Sequence, residues 1–399
     1  MRTTDIAIVG GGLAGSMTAA MLGRAGIDAV LIDPHRVYPD DFRCEKLGGP
    51  QIPLLQKTGL TDAVFRKSTH DREVWIAQYG HLIDRRPSDQ RGILYQDLVG
   101  AIRDEIPAAV PFIEGKAASI ATDDDRQIVT LSDGGTLSTR LVVLANGLNL
   151  GLLKSLGIRR RVVSPCHSIT IGFDLAPVGR PAFAFPALTY YPERATERMA
   201  YLTLFPVGAT MRANLMVYRP IDDPWLREMR EAPEAALHRL MPRLHRLTGN
   251  CRVLGPVRIR PADLYVTEGH RQSGIVLVGD AFATSCPAAG TGCDKVFTDV
   301  ARLCGAHIPQ WLASDGMSAD KIAAFYDDPQ KRDCDARSAA KAQTLRALST
   351  EPGAYWTGQR LARFVARGAA GLIRPRTGLR QGGADKTMVL PATGRSKAL

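Results

Sequence analysis

The chain contains no C-x-x-C, H-E-x-x-H, H-x-E, G-x-S-x-G or P-loop motif. Its seven cysteines are odd in number and irregularly spaced, which argues against a disulfide framework or a zinc site and fits a reducing compartment. The eight histidines are scattered, so no metal site is expected. No apolar run reaches the ~18–20 residues that cross a bilayer. The best, 141–153, is broken by Asn146, Gly147 and Asn149. Nothing resembling a signal peptide precedes Ile6-Ala7-Ile8-Val9, and the expected location is cytoplasmic. Internal repeats and low-complexity segments are absent as well.

What is present is ordinary globular material: 399 residues, 45% hydrophobic and 23% charged, enough for two packed domains. The formal charge of +11 raises the question of an anionic partner. Its distribution narrows that question. Residues 341–399 hold eleven Lys and Arg against two acids, so nine of the eleven net charges belong to one terminal segment. Nucleic-acid binding by the whole fold therefore has no support.

At the amino end a short strand over 5–9 runs into Gly10-Gly11-Gly12-Leu13-Ala14-Gly15 and then a helix. A second strand, 29–32, ends at Asp33. This is G-x-G-x-x-G inside a βαβ unit. Gly10 permits the tight turn, Gly12 the approach of a pyrophosphate, and Gly15 the packing of helix on strand. Leu13 and Ala14 open the helix whose positive end faces a diphosphate, and Asp33 suits a ribose hydroxyl. Near residue 275 a second strand–loop–helix unit reads Gly279-Asp280, then Pro287-Ala-Ala-Gly290-Thr291-Gly292. A carboxylate at a strand end holds polyol hydroxyls, and amides at a helix start stabilise negative charge.

Together these motifs resemble the FAD-dependent monooxygenases of the p-hydroxybenzoate-hydroxylase-like superfamily. The superfamily also holds flavin halogenases, ubiquinone-pathway hydroxylases and geranylgeranyl reductases. The likeness runs over about residues 5–325, with further matches at Arg43, at Leu54-Leu55 and Gly59-Leu60, at Arg91, Leu94 and Leu98, and at Asp299, Ala301 and Leu303. It implies an α/β fold: a Rossmann-like FAD-binding domain with an inserted antiparallel β-sheet substrate domain and a carboxy-terminal helical segment. The expected division is 1–75, 91–157 and 266–325 for FAD, 76–90 and 158–265 for substrate, and 326–399 for the basic terminal segment. By resemblance, Arg43 lies beside the flavin, Arg91 near the diphosphate at the head of a helix over 91–105, Ala117 by the adenine, and Thr291 at the flavin edge. Two positions depart from the pattern: Asn146-Gly147 stands where Asp-Gly is usual, and Asp294 where Asn often follows Gly-x-Gly. The first bears on recognition of NAD(P)H.

The implied activity is transfer of oxygen from O2, through a flavin C4a-hydroperoxide formed after reduction by NAD(P)H, to a small aromatic or specialised metabolite. A flavin-dependent reductase, of the geranylgeranyl-reductase kind, is the alternative. The halogenase branch is disfavoured because W-x-W-x-I-P is absent. Within the sheet, His167, Arg212 and Tyr190 are the polar candidates for acid–base work, anchoring of an acidic substrate, and donation to a substrate oxygen. Near the end, Arg360, Arg363 and Arg367 share one face of a helix over 355–373, with Leu361, Phe364, Val365 and Leu372 on the other. That pattern predicts an apolar side packed on the body. The arginines then face solvent, an anionic membrane or an acidic carrier protein.

Overall fold

A computed structural model describes residues 2–194 and 197–373. Two large sheets organise it. In the first, the strand Arg2–Val9 lies at the centre, parallel to Ala29–Asp33 on one side and Thr136–Leu144 on the other. Phe112–Glu114 extends the sheet beyond Ala29–Asp33, Gln127–Leu131 and Ala117–Ala121 extend it at the other edge, and Ile275–Leu277 joins in parallel to Thr136–Leu144. Ile6, Ile8, Leu141, Val143 and Val276 are buried on one face beneath the helices Leu13–Arg24 and Gly292–Arg302. Near-continuous apolar strands covered on both faces are what a parallel sheet requires. Thus the chain after Glu268 rejoins the first sheet at Ile275–Leu277.

The second sheet is ordered Cys251–Glu268, Arg159–Pro177, Thr210–Val217, Met199–Val207, Leu188–Tyr190, Glu73–Gln78, His81–Pro87. Its two long strands pair antiparallel from Arg159↔Glu268 to Pro177↔Cys251 and carry the chain out of the first domain and back. The inserted segment enters this sheet at Glu73, three residues before the expected 76. A small third sheet, Lys46–Leu47 with Arg91–Gly92 and Thr69–His70, lies against Met199–Val207 of the second.

Two segments differ from the sequence reading. The helix expected over 91–105 spans Tyr95–Arg103, because Arg91–Gly92 is paired on both sides in the small sheet. Gly92 is pressed so closely on Pro206 that a Cβ there would strike its carbonyl oxygen.

The terminal helix Ala354–Ile373 departs from the expectation at Arg360, Arg367, Leu361 and Val365, while Arg363 is exposed and Phe364 packs on Tyr79. Arg360 donates to the carbonyls of Leu348 (3.2 Å) and Glu351 (3.0 Å) at the end of the preceding helix, Pro329–Thr350. Arg367 stacks 3.7 Å over the Tyr191 ring and donates to Gln78 Oε1 at 2.7 Å. Leu361 and Val365 face outward. Free carbonyls at a helix end and an aromatic face satisfy guanidinium groups better than solvent-side packing would satisfy two aliphatic side chains. The side chain of Leu372 lies outside the described residues.

Candidate active site

One cavity of about 880 Å3 runs between the two domains. At one end it is bordered by Gly10, Gly12, Leu13, Ala14 and Asp33; at the other it reaches the face of the second sheet at Thr170, Tyr201, Thr203, Asn214 and Met216. Leu148, Leu150 and Val162 stand exposed on its rim.

The glycines around it divide into two classes. Gly10 has φ +105°, and a Cβ there would lie 2.5 Å from the Ala145 carbonyl oxygen; one on Gly15 would overlap the Gly10 carbonyl. These two are required by packing. A Cβ on Gly12 would meet nothing closer than 3.8 Å, and on Gly290 or Gly292 nothing within 4 Å. Gly12, Gly290 and Gly292 therefore leave open surface on the cavity. Each of the helices Leu13–Arg24 and Gly292–Arg302 begins there without a side-chain cap, so amide donors and positive dipole ends face the space. Asn146 adds a buried Oδ1 with no partner, while its Nδ2 donates to the Asn149 carbonyl at 3.3 Å. Two uncapped helix ends, an open glycine surface and an unmatched acceptor fit a dinucleotide.

Asp33 closes its strand with a buried carboxylate. Oδ2 accepts from the Gly11 amide at 2.6 Å and Oδ1 from the His35 amide at 2.9 Å, with Arg103 at 3.2 Å. Arg103 was not singled out from the sequence. It donates to the carbonyls of Gly11, His35 and Arg36 and so binds the glycine loop to the segment after Asp33. Arg43 bridges Asp41 (2.5 Å) and Asp280 (3.0 Å), tying the segment after Ala29–Asp33 to the second motif across the cavity. Tyr265 donates its hydroxyl to the Asp280 carbonyl at 2.5 Å. The loop from Pro287 is held from both sides: Gln51 donates to the Gly290 carbonyl at 2.8 Å, and the Thr291 hydroxyl meets Ser338 Oγ at 2.7 Å. Arg91 and Ala117 lie off the cavity; the Arg91 guanidinium sits 3.7 Å over the Phe65 ring, and Ala117 packs within the first sheet.

The three polar candidates of the inserted sheet all lie outside the cavity lining. Arg212 is buried and fully paired, donating to Glu45 at 2.8 and 2.9 Å and to Asp174 at 3.1 Å. It has no charge left for an acidic ligand. Tyr190 is buried and donates to Glu193 Oε1 at 2.5 Å. His167 is buried, with Nδ1 3.1 Å from Ser164 Oγ; burial and the neighbouring Arg346 push its pKa down. Ionisable groups that do reach the cavity include the adjacent Glu45 and Lys46, the first just before and the second opening the two-residue strand Lys46–Leu47, without motif character. Burial raises the Glu45 carboxyl against the opposing pull of Arg212. The only sequence signal for either was a carboxylate and an ammonium in an otherwise apolar, loop-like stretch after Arg43. Cys44 and Cys293, also on the cavity, bring their sulfurs within 3.2 Å.

Comparison with known proteins agrees with this geometry. A family model described as FAD binding domain matches residues 3–307. The ubiquinone hydroxylase UbiL of Rhodospirillum rubrum is 29% identical over 331 residues, covering 76% of this chain and 72% of the relative. The 3-demethoxyubiquinol 3-hydroxylase of Escherichia coli is 25% identical, covering 76% and 79%. Among solved structures, the p-nitrophenol 4-monooxygenase PnpA of Pseudomonas putida superposes with a TM-score of 0.69 at 17% identity, covering 93% of this chain and 95% of its own.

Proposed function

The chain belongs to the FAD-binding family of p-hydroxybenzoate-hydroxylase-like flavoprotein monooxygenases, and from that premise we propose that it hydroxylates an electron-rich aromatic substrate with an apolar portion, using NAD(P)H and O2. The observation that carries this reading is the single cavity continuous from Asp33 and the glycine loop to the sheet face at Thr203 and Met216. Leu13 and Ala14 would hold the diphosphate at the open helix end, Asp33 the adenosine ribose, and Asp280, steadied by Arg43, the polyol chain. The start of Gly292–Arg302 would face the flavin edge where reduction places negative charge. When bound, FAD supplies the redox chemistry with NAD(P)H and O2. The chain's own contribution is to orient the ring and exclude water. Thr170, Thr203 and Asn214 provide hydroxyl and amide contacts, and Met216 and Phe42 apolar walls. Glu45, held rigid by Arg212, presents a carboxylate to a substrate hydroxyl. The exposed Leu148, Leu150 and Val162 give the apolar portion an exit along the rim.

Two of the relatives named above are hydroxylases of ubiquinone and of 3-demethoxyubiquinol, and a quinol ring with an apolar tail has this combination. The test is aerobic turnover under labelled O2 with candidate phenols and quinols. One labelled oxygen atom in the product, with NAD(P)H oxidised in equal amount, is expected. Turnover under strict anaerobiosis with no oxygen inserted would establish the second reading, a flavin-dependent reductase. Asn146 in place of the family's usual aspartate is the observation that favours that alternative. The basic terminal segment adds a contact with an anionic surface, either a membrane or an acidic carrier protein.

A further inference from the structure

Three of the eleven large apolar side chains exposed among the described residues lie on one helix, Ala354–Ile373: Tyr355 at 68%, Leu361 at 57% and Val365 at 58% exposure. Helical spacing brings Leu361 and Val365 together on one side, and Ala354, Gly358, Ala362 and Ala369 fill out the same stripe with small residues. The opposite side holds Arg360, Arg367 and the half-buried Phe364, which meets Tyr79 edge-on at 5.1 Å. An ordinary surface helix buries its apolar stripe and shows its charges. This one shows the stripe. A contiguous apolar surface held outward by specific polar anchors marks a contact site.

We infer that this face lies on an anionic lipid bilayer, with the apolar stripe entering the acyl boundary. Charge selects the occupant. Residues 374–399 carry six Lys and Arg and one acid, and Arg363 is exposed on the helix itself. A bilayer offers apolar depth and negative headgroups in one plane, which matches an apolar stripe continued by basic chain. A second copy is disfavoured twice over: it would oppose like charges, and a stable dimer buries about 800 Å2 per partner, more than three side chains of this size expose.

The helix also sits beside the substrate sheet. Arg367 stacks on Tyr191, Tyr191 meets Tyr201 edge-on at 6.1 Å, and Tyr201 lines the cavity and donates to the Ala288 carbonyl at 2.5 Å. Docking by this helix places the substrate domain against the lipid surface. The inference stands whichever reaction the cavity performs.

Full-length FAD-loaded protein is sedimented with vesicles of phosphatidylcholine alone or of equal parts phosphatidylcholine and phosphatidylglycerol. Binding to the anionic vesicles, weakened by added salt, is expected. The double variant Leu361→Ser with Val365→Ser, both exposed and away from the cavity, should lower vesicle affinity at least about tenfold while NAD(P)H oxidation with a dissolved substrate is unchanged. Wild-type protein that ignores anionic vesicles overturns the inference. So does a double variant that binds as tightly as wild type. A doubled mass in light scattering that returns to monomer in the double variant also overturns it, because a second copy then covers the face.

Discussion

Arg212 grips both oxygens of Glu45, at 2.8 and 2.9 Å, from a strand 167 residues further along the chain. Its remaining nitrogen reaches Asp174 at 3.1 Å on the neighbouring strand, so one buried guanidinium ties the residue just before Lys46–Leu47 to the substrate sheet. Removing one member of such a pair strands the other in low dielectric, at a cost of about 3–5 kcal/mol. Arg212→Met is therefore expected to lose that much in urea unfolding. Arg212→Met combined with Glu45→Met should lose less than the single change. Additive losses from the two changes would show that the pair does not act as a unit.

Gly15 stands where any side chain overlaps the Gly10 carbonyl oxygen. Gly15→Ala should push the helix Leu13–Arg24 off the central strand and open the glycine loop, so that purified protein carries little or no flavin. Gly12→Ala, with 3.8 Å of clearance, should fold normally and weaken flavin retention only. Comparing the thermal midpoints of the two apoproteins separates packing from cofactor contact. Equal destabilisation by both changes would contradict the division.

The strand Thr210–Val217 shows how far the sequence could be followed. Alternation places Arg212, Asn214 and Met216 on one face, opposite Phe205, Thr203 and Tyr201. The pattern identifies that face; it does not say which of its positions stand over the cavity. The structure gives Asn214 and Met216 to the cavity and uses Arg212 to hold Glu45. Gly10, Gly15 and Asp33 were legible because their demands are local: a turn, a close approach, a strand end. Glu45, Lys46, Gln51 and Arg103 were not, because each acts on a partner brought near only by the fold. The terminal helix was legible as an amphipathic helix but not in its orientation, which depends on carbonyls at the end of another helix and on Tyr191.

Burial pushes the Lys46 ammonium down to about 8 from an ordinary 10.5, against the attraction of Asp71. The folded pKa lies below the unfolded one. Between about pH 8 and 10.5 the unfolded chain therefore holds a proton that the folded chain has released, and stability rises with pH across that window. Below pH 8 both states are protonated and the burial penalty is fully present. Lys46→Met should be more stable than wild type at pH 7, with the difference shrinking as pH climbs to 10. A variant no more stable at pH 7 would mean that the ammonium is well solvated in the cavity.

Asp328 caps the long helix Pro329–Thr350, accepting from the amides of Gln330 (2.9 Å) and Lys331 (3.1 Å). Burial alone would raise its carboxyl, but hydrogen bonds from Arg302, His307 and the Lys331 amide overcome that and hold it down at about 2, against an ordinary 3.8. A depressed pKa stabilises the fold above the unfolded value, and that stability is lost as pH falls from about 4 towards 2. Asp328→Asn should cost about 1–3 kcal/mol at pH 6 and should flatten the acid limb of the stability curve. An acid limb identical to wild type would assign acid unfolding to other carboxylates.

Cys44 and Cys293 present their sulfurs 3.2 Å apart across the cavity wall, with the Cys293 thiol donating to Cys44. That hydrogen bond lowers the Cys44 pKa and raises that of Cys293, which makes Cys44 the nucleophile of the pair. Two cysteine sulfurs already in contact need only an oxidant to close. Diamide, which takes up the two hydrogens, should join these two sulfurs before any others and leave five of the seven thiols alkylatable. Because Cys44 neighbours Arg43 and Cys293 follows Gly292, the new bond would clamp the Arg43 segment to the second motif across the cavity. The oxidised protein should therefore release FAD more slowly, with dithiothreitol restoring the original rate. Cys44→Ser should abolish both effects. Separate alkylation of Cys44 and Cys293 after diamide, found by peptide mapping, would show that the contact does not lead to a bond.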